Sequence, residues 1–276
     1  LLPQLLDERS RVLLLSPMYG EYSHILQHVI GCHITYFVLE DANGFAIDAD
    51  DLISQAREHD AVILVNPNSP TGVYCESMAD IVSSIARSNN PGSQCKMIWV
   101  DETYINYLPD AVSLEPLCGS LPELVVCKSM SKCYALSGLR VAYAVSQNMA
   151  TLRRFIPPWA VSLPGQLAAV AALRNDTYYA QQYEVIHSER KKMQQALDDL
   201  GFQVFSGVAN YLLTYLPAAS GYSSTRFIEA CREQGLFVRD AQNMGVLLPN
   251  NAVRFAVRSP EENEKMLSIV DDILAL

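Results

Sequence analysis

Ser129-Met130-Ser131-Lys132-Cys133-Tyr134-Ala135-Leu136-Ser137-Gly138-Leu139-Arg140 is the stretch on which the reading of this chain turns. A lysine flanked by hydroxyls and followed by a Gly-Leu-Arg turn has the groups needed to hold an aldehyde as a Schiff base and to anchor a phosphate beside it. The apolar run from Leu124 to Cys127 ahead of it reads as a strand, so Lys132 sits in the turn that the strand delivers.

Two upstream segments have the same design. Ala61-Val62-Ile63-Leu64-Val65 is an apolar run of the kind a buried parallel strand requires, and Asn66-Pro67-Asn68-Ser69-Pro70-Thr71-Gly72 ends it in a tight polar loop. Met97-Ile98-Trp99-Val100 is a second short strand, which delivers Asp101-Glu102-Thr103-Tyr104, an acid and a phenol. Open parallel sheets bind ligands at the carboxyl ends of their strands, where all these groups lie. Together the three segments point to pyridoxal phosphate.

With those residues in view, the chain resembles the fold-type I pyridoxal-phosphate enzymes of the class I/II aminotransferase group. The branch it is most similar to is that of the histidinol-phosphate aminotransferases and threonine-phosphate decarboxylases. The resemblance runs from Ser16-Pro17-Met18-Tyr19-Gly20 to Val253-Arg254-Phe255-Ala256-Val257-Arg258, with the motifs in the family's order. It implies that Lys132 holds the cofactor aldehyde and, once released, moves the α proton, which requires an amine partly neutral near neutral pH. It implies that Asp101 faces the pyridine nitrogen and keeps it protonated, making the ring an electron sink. Tyr104 would hydrogen-bond the ring hydroxyl and Tyr19 would stack on the ring. Ser129, Ser131 and Arg140 would hold the phosphate, Arg140 through its planar charged fork. Arg254 would clamp the substrate carboxylate, and Arg239 would be a second arginine facing a phosphate or carboxylate. A salt bridge to a neighbouring carboxylate is the alternative for both. Arg258 belongs either to the same site or to an exposed strand end.

The chain departs from the family at Ser69, where most relatives have the Asn that contacts the ring hydroxyl. Ser69 and Asn68 are both candidates for that contact. The resemblance also implies a further amino-terminal part, with an arm and a Gly-Ser phosphate-binding turn. The chain is therefore expected to be a fragment, with Leu1 to Leu6 the end of a helix.

The expected fold is α/β, a transferase of the aspartate aminotransferase type. Strands near 12–15, 34–39, 61–65, 97–100, 124–127 and 141–145 alternate with helices near 21–30, 50–59 and 78–87, the last ended by Asn89-Asn90-Pro91-Gly92. This alternation predicts a mainly parallel sheet in a large domain over residues 1–157. Helical periodicity at 163–173 and 177–200 then leads into a smaller carboxyl-terminal α/β domain over 158–276. Its strands are expected near 203–205, 211–216, 237–239 and 253–257, and its helices at 224–234 and 261–273, with Gly201 and Gly235 as caps.

Composition narrows the function. A net charge of -10 with 18% charged residues argues against a nucleic-acid partner. Arg190-Lys191-Lys192 reads as a solvated helix face. Seven cysteines without a C-x-x-C pair predict free thiols, a reducing compartment and a cytoplasmic enzyme. Cys133 is expected to be an inert buried thiol despite adjoining Lys132. His24 and His28 have helical spacing but no co-ligands, so no metal is expected, and no apolar run is long enough to span a membrane.

The expected function is a pyridoxal-phosphate-dependent aminotransferase acting on a small amino acid or phosphorylated amine. Decarboxylation of a phosphorylated amino acid such as threonine phosphate is the alternative. A non-catalytic binding domain that keeps the fold is the third reading. The resemblance also implies a homodimer, with Tyr22 or the Tyr134-Ala135-Leu136-Ser137 stretch as the candidate contribution to a neighbour's site.

Overall fold

The apolar runs become the strands of one central sheet. The computed structural model describes residues 1–87 and 95–275. In it β1 (Arg11–Ser16), β2 (His33–Val38), β3 (Ala61–Val65), β4 (Met97–Asp101), β5 (Leu124–Ser129) and β6 (Ala142–Val145) form a six-stranded sheet of order β2-β1-β3-β4-β5-β6. Strands β1 to β5 are parallel. The interior strand β3 is buried along its whole length, as a sheet covered on both faces demands, whereas β2 at the edge alternates in exposure.

β6 runs antiparallel to β5. The segment between them contains only a 3-10 turn at Ser137–Leu139 and no crossover helix, so the chain turns back beside β5 instead of crossing over. Register then aligns the business ends. Val65 pairs with Asp101 and Asp101 with Cys127, so the residues that follow β3, β4 and β5 leave the sheet at one level.

The carboxyl-terminal part forms a second sheet, of order β7-β8-β10-β9, from β7 (Gln203–Val204), β8 (Tyr211–Tyr215), β9 (Arg239–Asp240) and β10 (Ala252–Ala256). All its pairings are antiparallel. Met193 and Leu197 from the long helix Asp176–Asp199, Phe227 from Ser224–Glu233 and Val270 from Pro260–Leu274 close over it. Phe202, Phe227 and Phe255 meet edge to face in that core. Asp48, Ser162, Ser223 and Ser259 each accept a backbone N–H at the start of the helix that follows. Gly201 and Gly235 adopt positive φ at helix ends, as expected.

Some elements differ from expectation. The helix expected over 21–30 is an α-helix only for Gly20–His24 and widens to a π-helix at Ile25–Ile30, ended by Gly31 at φ 87°. The strand expected at 237–239 is displaced to Arg239–Asp240, because β10 offers partners only to those residues and Phe237 remains 81% exposed. Arg190 is not on a solvated face: it is half-buried, its Nε lacks a partner among the described residues, and burial lowers its pKa. The loop expected at Asn89-Asn90-Pro91-Gly92 lies outside the described residues. All seven cysteines are free, and among the described residues no group of three or more His, Cys, Asp or Glu is arranged to hold a metal. No helix among them is long and apolar enough to cross a membrane.

A buried ionic cluster ties the ends of β4, β5 and β6 together. Lys128 Nζ lies 3.1 Å from Glu102 Oε2, 2.6 Å from Glu115 Oε1 and 3.0 Å from Ser113 Oγ. Glu102 also accepts from Leu114 N at 2.7 Å and Ser113 Oγ at 2.6 Å, and Tyr143 OH donates to Glu115. Removing the cation strands a carboxylate that is almost fully buried. Lys128→Met is therefore expected to cost about 3–5 kcal/mol in urea unfolding at pH 7, and adding Glu102→Leu should recover part of that loss.

Candidate active site

Asp101 ends β4 as a buried carboxylate with three donors. Its Oδ1 accepts from Thr103 N at 2.9 Å and Thr103 Oγ1 at 2.5 Å, and its Oδ2 from Tyr22 OH at 2.8 Å. Burial pushes the Asp101 carboxyl up, and the bonds from Thr103 and Tyr22 pull it back down. Trp99 Nε1 donates in turn to Tyr22 OH at 3.0 Å. Tyr22, offered by the resemblance as a contribution to a neighbour's site, is buried beside Asp101 of the same chain. Tyr134 is likewise buried, with its hydroxyl accepting from Asn106.

Next to this strand end, Thr103 Oγ1 accepts from Ser129 N at 3.2 Å, which fixes the exit of β5. Ser131 N donates to Ser129 Oγ at 3.3 Å, and Lys132 follows. Arg140 closes the turn at φ 54°, a left-handed conformation that costs a non-glycine residue about 1 kcal/mol, and its guanidinium holds Ser137 O at 3.1 Å. The Lys132 ammonium is disfavoured by burial, then by Arg254 and Arg140, so its pKa falls below the usual lysine value. The neighbouring Cys133 points away: its thiol donates to Thr103 O, and burial pushes its pKa up to about 12.

Opposite lies the Asn66–Gly72 loop. Asn68 is buried, with Nδ2 donating to Pro17 O at 3.0 Å and Thr71 Oγ1 at 3.1 Å. Its Oδ1 is buried with no partner among the described residues. Ser69 Oγ accepts from Arg254 Nη1 at 3.2 Å. The second sheet reaches this loop because Gly207 packs on it so closely that a Cβ there would sit 2.8 Å from Thr71 O. Tyr211 on β8 then donates to Asn68 O at 2.7 Å, carries the Arg254 guanidinium 4.7 Å above its ring, and meets Tyr104 edge to face at 5.1 Å.

Tyr104 is buried, its phenol pushed up to about 12 by burial, with Arg254 pulling the other way. Tyr19 is half-exposed and packs edge-on against Tyr22. Arg239 is exposed and lies directly across β9–β10 from Arg254. Arg258 is exposed and pairs with Glu262 at 2.9 Å, the arrangement expected of an exposed strand end.

Sequence reasoning missed Trp99, Thr103 and Tyr211 and misplaced Tyr22. Thr103 carried a usable signal, since Asp-x-Thr favours a local side-chain turn, and Tyr22 lies one helical turn beyond Tyr19. Trp99 read only as an apolar strand residue. Tyr211 matters because the two sheets meet, which no local pattern reveals.

These groups fit pyridoxal phosphate. The orphaned Asn68 Oδ1 is an acceptor that needs a donor, Asp101 offers a buried carboxylate, and Lys132 is an amine whose proton is loosened. Ser129, Ser131 and Arg140 supply hydroxyls and a guanidinium suited to phosphate.

Comparison with known proteins agrees with this chemistry. The family model described as aminotransferase class I and II matches residues 1–270. The chain is 27% identical to the histidinol-phosphate aminotransferase of Methanococcus maripaludis, over 98% of this chain and 71% of that protein. It is 28% identical to the threonine-phosphate decarboxylase of Salmonella typhimurium, over 96% of this chain and 71% of that protein. Among solved structures, the histidinol-phosphate aminotransferase from Clostridium acetobutylicum superposes with a TM-score of 0.85 at 26% identity, covering 96% of this chain and 78% of that one.

The depressed acidity of Cys133 gives a direct check. With its pKa at about 12, only about one thiol in ten thousand is ionised at pH 8. Iodoacetamide at that pH is expected to leave Cys133 unmodified in the folded protein while alkylating the half-buried Cys75, as read by peptide mass mapping.

Proposed function

Because the chain belongs to the class I and II aminotransferase family, we propose that it is a pyridoxal-phosphate-dependent aminotransferase whose substrate is a phosphorylated amine or a small amino acid. The observation that carries this reading is the seat of Arg254, brought from the second sheet, over the Tyr211 ring that meets Tyr104 edge to face, with burial first and Arg254 next lowering the Lys132 pKa. When bound, pyridoxal phosphate supplies an aldehyde for the substrate amine and a ring that delocalises the electron pair left on the α carbon.

The chain's own residues do the rest. With the cofactor bound, Lys132 would hold its aldehyde, and Nζ, once freed by the substrate amine, would take the α proton and deliver it to the former aldehyde carbon, as transamination requires. Its lowered pKa, from burial first and the two arginines next, supports that role because a general base must be partly neutral to act. Asp101 would hold the proton on the ring nitrogen, Tyr104 and Asn68 or Ser69 would border the ring hydroxyl, Tyr19 would cover the ring face, and Ser129, Ser131 and Arg140 would hold the phosphate. Ser69 orients Arg254 toward the substrate carboxylate. Arg239 takes a second anionic group: directly opposed like charges on neighbouring strands repel, and an anion between Arg239 and Arg254 relieves the repulsion.

A second reading, decarboxylation of a phosphorylated amino acid, is favoured by the equally similar threonine-phosphate decarboxylase. We place the protein in the cytoplasm and divide it at residues 157/158. We further propose that it works as a homodimer, which the exposed apolar side chains Leu163, Leu167, Val170 and Leu173 on one helix support. Sedimentation with cofactor over a wide concentration range tests that assembly.

Measuring keto-acid formation from amino donors against carbon dioxide release from phosphothreonine separates the two chemistries. Lys132→Ala is expected to abolish turnover and the near-visible absorbance of the lysine-bound aldehyde while retaining weak cofactor binding. Retained turnover would sink the assignment of Lys132. Arg254→Gln is expected to raise KM for carboxylate substrates about tenfold to a hundredfold, as for loss of a hydrogen-bonded ion pair.

A further inference from the structure

Asp101 must stay ionised to hold a proton on the ring nitrogen, yet burial drives it toward the neutral acid. Thr103 supplies both donors to Oδ1, and it does so from the same short turn that carries the acid. Oδ2 depends on a different part of the fold. Its donor is Tyr22, which lies before β2 on the helix Gly20–His24, and Tyr22 is itself engaged by Trp99 from within β4.

The direction of this chain of bonds is fixed by chemistry. An indole N–H only donates, so Trp99 occupies an acceptor site on the Tyr22 oxygen. Tyr22 has one proton, and two acceptors lie in reach among the described residues: Asp101 Oδ2 at 2.8 Å and Cys127 Sγ at 3.8 Å. Sulfur is the weaker acceptor and the more distant. The phenol therefore donates to Asp101, and donation from Trp99 polarises it further in that direction. Tyr22 does not give its proton up, because burial and the Asp101 charge hold its pKa well above the ordinary phenol value.

We propose that Trp99 and Tyr22 form a one-way hydrogen-bond relay that holds Asp101 as the anion and thereby retains the proton on the cofactor's ring nitrogen. The relay rests on the reading that Asp101 faces that nitrogen. Both residues are positioning residues; neither touches the reacting atoms.

The test uses two cofactors: pyridoxal phosphate, whose ring nitrogen needs Asp101 to stay protonated, and N1-methylpyridoxal phosphate, whose ring is permanently cationic. Binding constants come from absorbance titration of the apoprotein, and turnover from keto-acid formation. Tyr22→Phe keeps the ring and its packing, and an unchanged thermal midpoint checks the fold. It is expected to bind pyridoxal phosphate about tenfold more weakly and turn over about tenfold more slowly than the parent protein, the loss of one hydrogen bond to a charged group. With the N1-methyl cofactor the two proteins should differ by less than about threefold on both readouts. Trp99→Phe should shift both readouts in the same direction by a smaller factor. Equal impairment of Tyr22→Phe with both cofactors would reduce Tyr22 to a structural role, and parent-like behaviour with both would remove it altogether. Asp101→Asn separates the levels. If it is unimpaired, the reading of Asp101 fails; if it is impaired and recovered by the N1-methyl cofactor while Tyr22→Phe is not, that reading stands and the relay falls.

Discussion

The rest of the site is organised around one buried carboxylate. Asp101 sits where a charge is costly, and the fold meets that cost with donors from three places: its own turn through Thr103, the helix Gly20–His24 through Tyr22, and β4 itself through Trp99 behind Tyr22. Thr103 does double duty, because the hydroxyl that donates to Asp101 accepts from Ser129 N. The acid on β4 and the start of the lysine segment on β5 are thus held at a fixed separation by a single side chain. Alternation along the strands sorts the remaining charges. Successive residues point to opposite faces, so Asp101 and Ser129 turn toward the cleft while Glu102 and Lys128 turn behind it and pair with each other. The ionic cluster at the back and the anion at the front are the two sides of the same strand ends.

The second sheet contributes by position more than by number of groups. Arg254 lies in an otherwise apolar strand and reaches the Asn66–Gly72 loop only because glycine at 207 lets the backbones close on each other. Once there, its guanidinium rests over Tyr211 and donates to Ser69. Burial first, then Arg254 and Arg140, lower the Lys132 pKa, so the second sheet adds to what burial does to the amine.

Much of this was legible in the sequence, for identifiable reasons. Ala61–Val65 and Met97–Val100 are continuous apolar runs because both faces are covered, and the polar residues after each run must emerge at the carboxyl edge of a parallel sheet. The family resemblance could therefore be carried onto Lys132, Asp101, Tyr104 and Arg140, which follow these strands. The antiparallel return of β6 was not legible, since strand direction depends on what fills the connection and not on the strand's own residues. Nor was the role of Tyr22: a tyrosine one turn past another reads equally well as a surface group, and only the docking of that helix beside β4 places it on Asp101. Arg190 shows the reverse error, in which a local run of basic residues suggested solvent while long-range packing buried part of the guanidinium.

The Asn68-Ser69 pair illustrates how such a substitution redistributes hydrogen-bonding roles without loss of chemistry. Asn68 spends both amide protons on Pro17 and Thr71, leaving a buried oxygen that can only accept. Ser69 accepts from Arg254 Nη1 and donates to the Tyr211 hydroxyl. An asparagine at position 69 would have a longer side chain and two amide protons, and its carbonyl would have to take the place of the serine hydroxyl under Arg254. The serine instead lets the guanidinium settle between Ser69 and the Tyr211 ring, with the nearby Tyr104 phenol, held protonated by burial, available as a donor toward the cleft. Ser69 thus ties the Arg254 guanidinium to the Tyr211 phenol, and the Asn68 oxygen stays an unpartnered acceptor among the described residues.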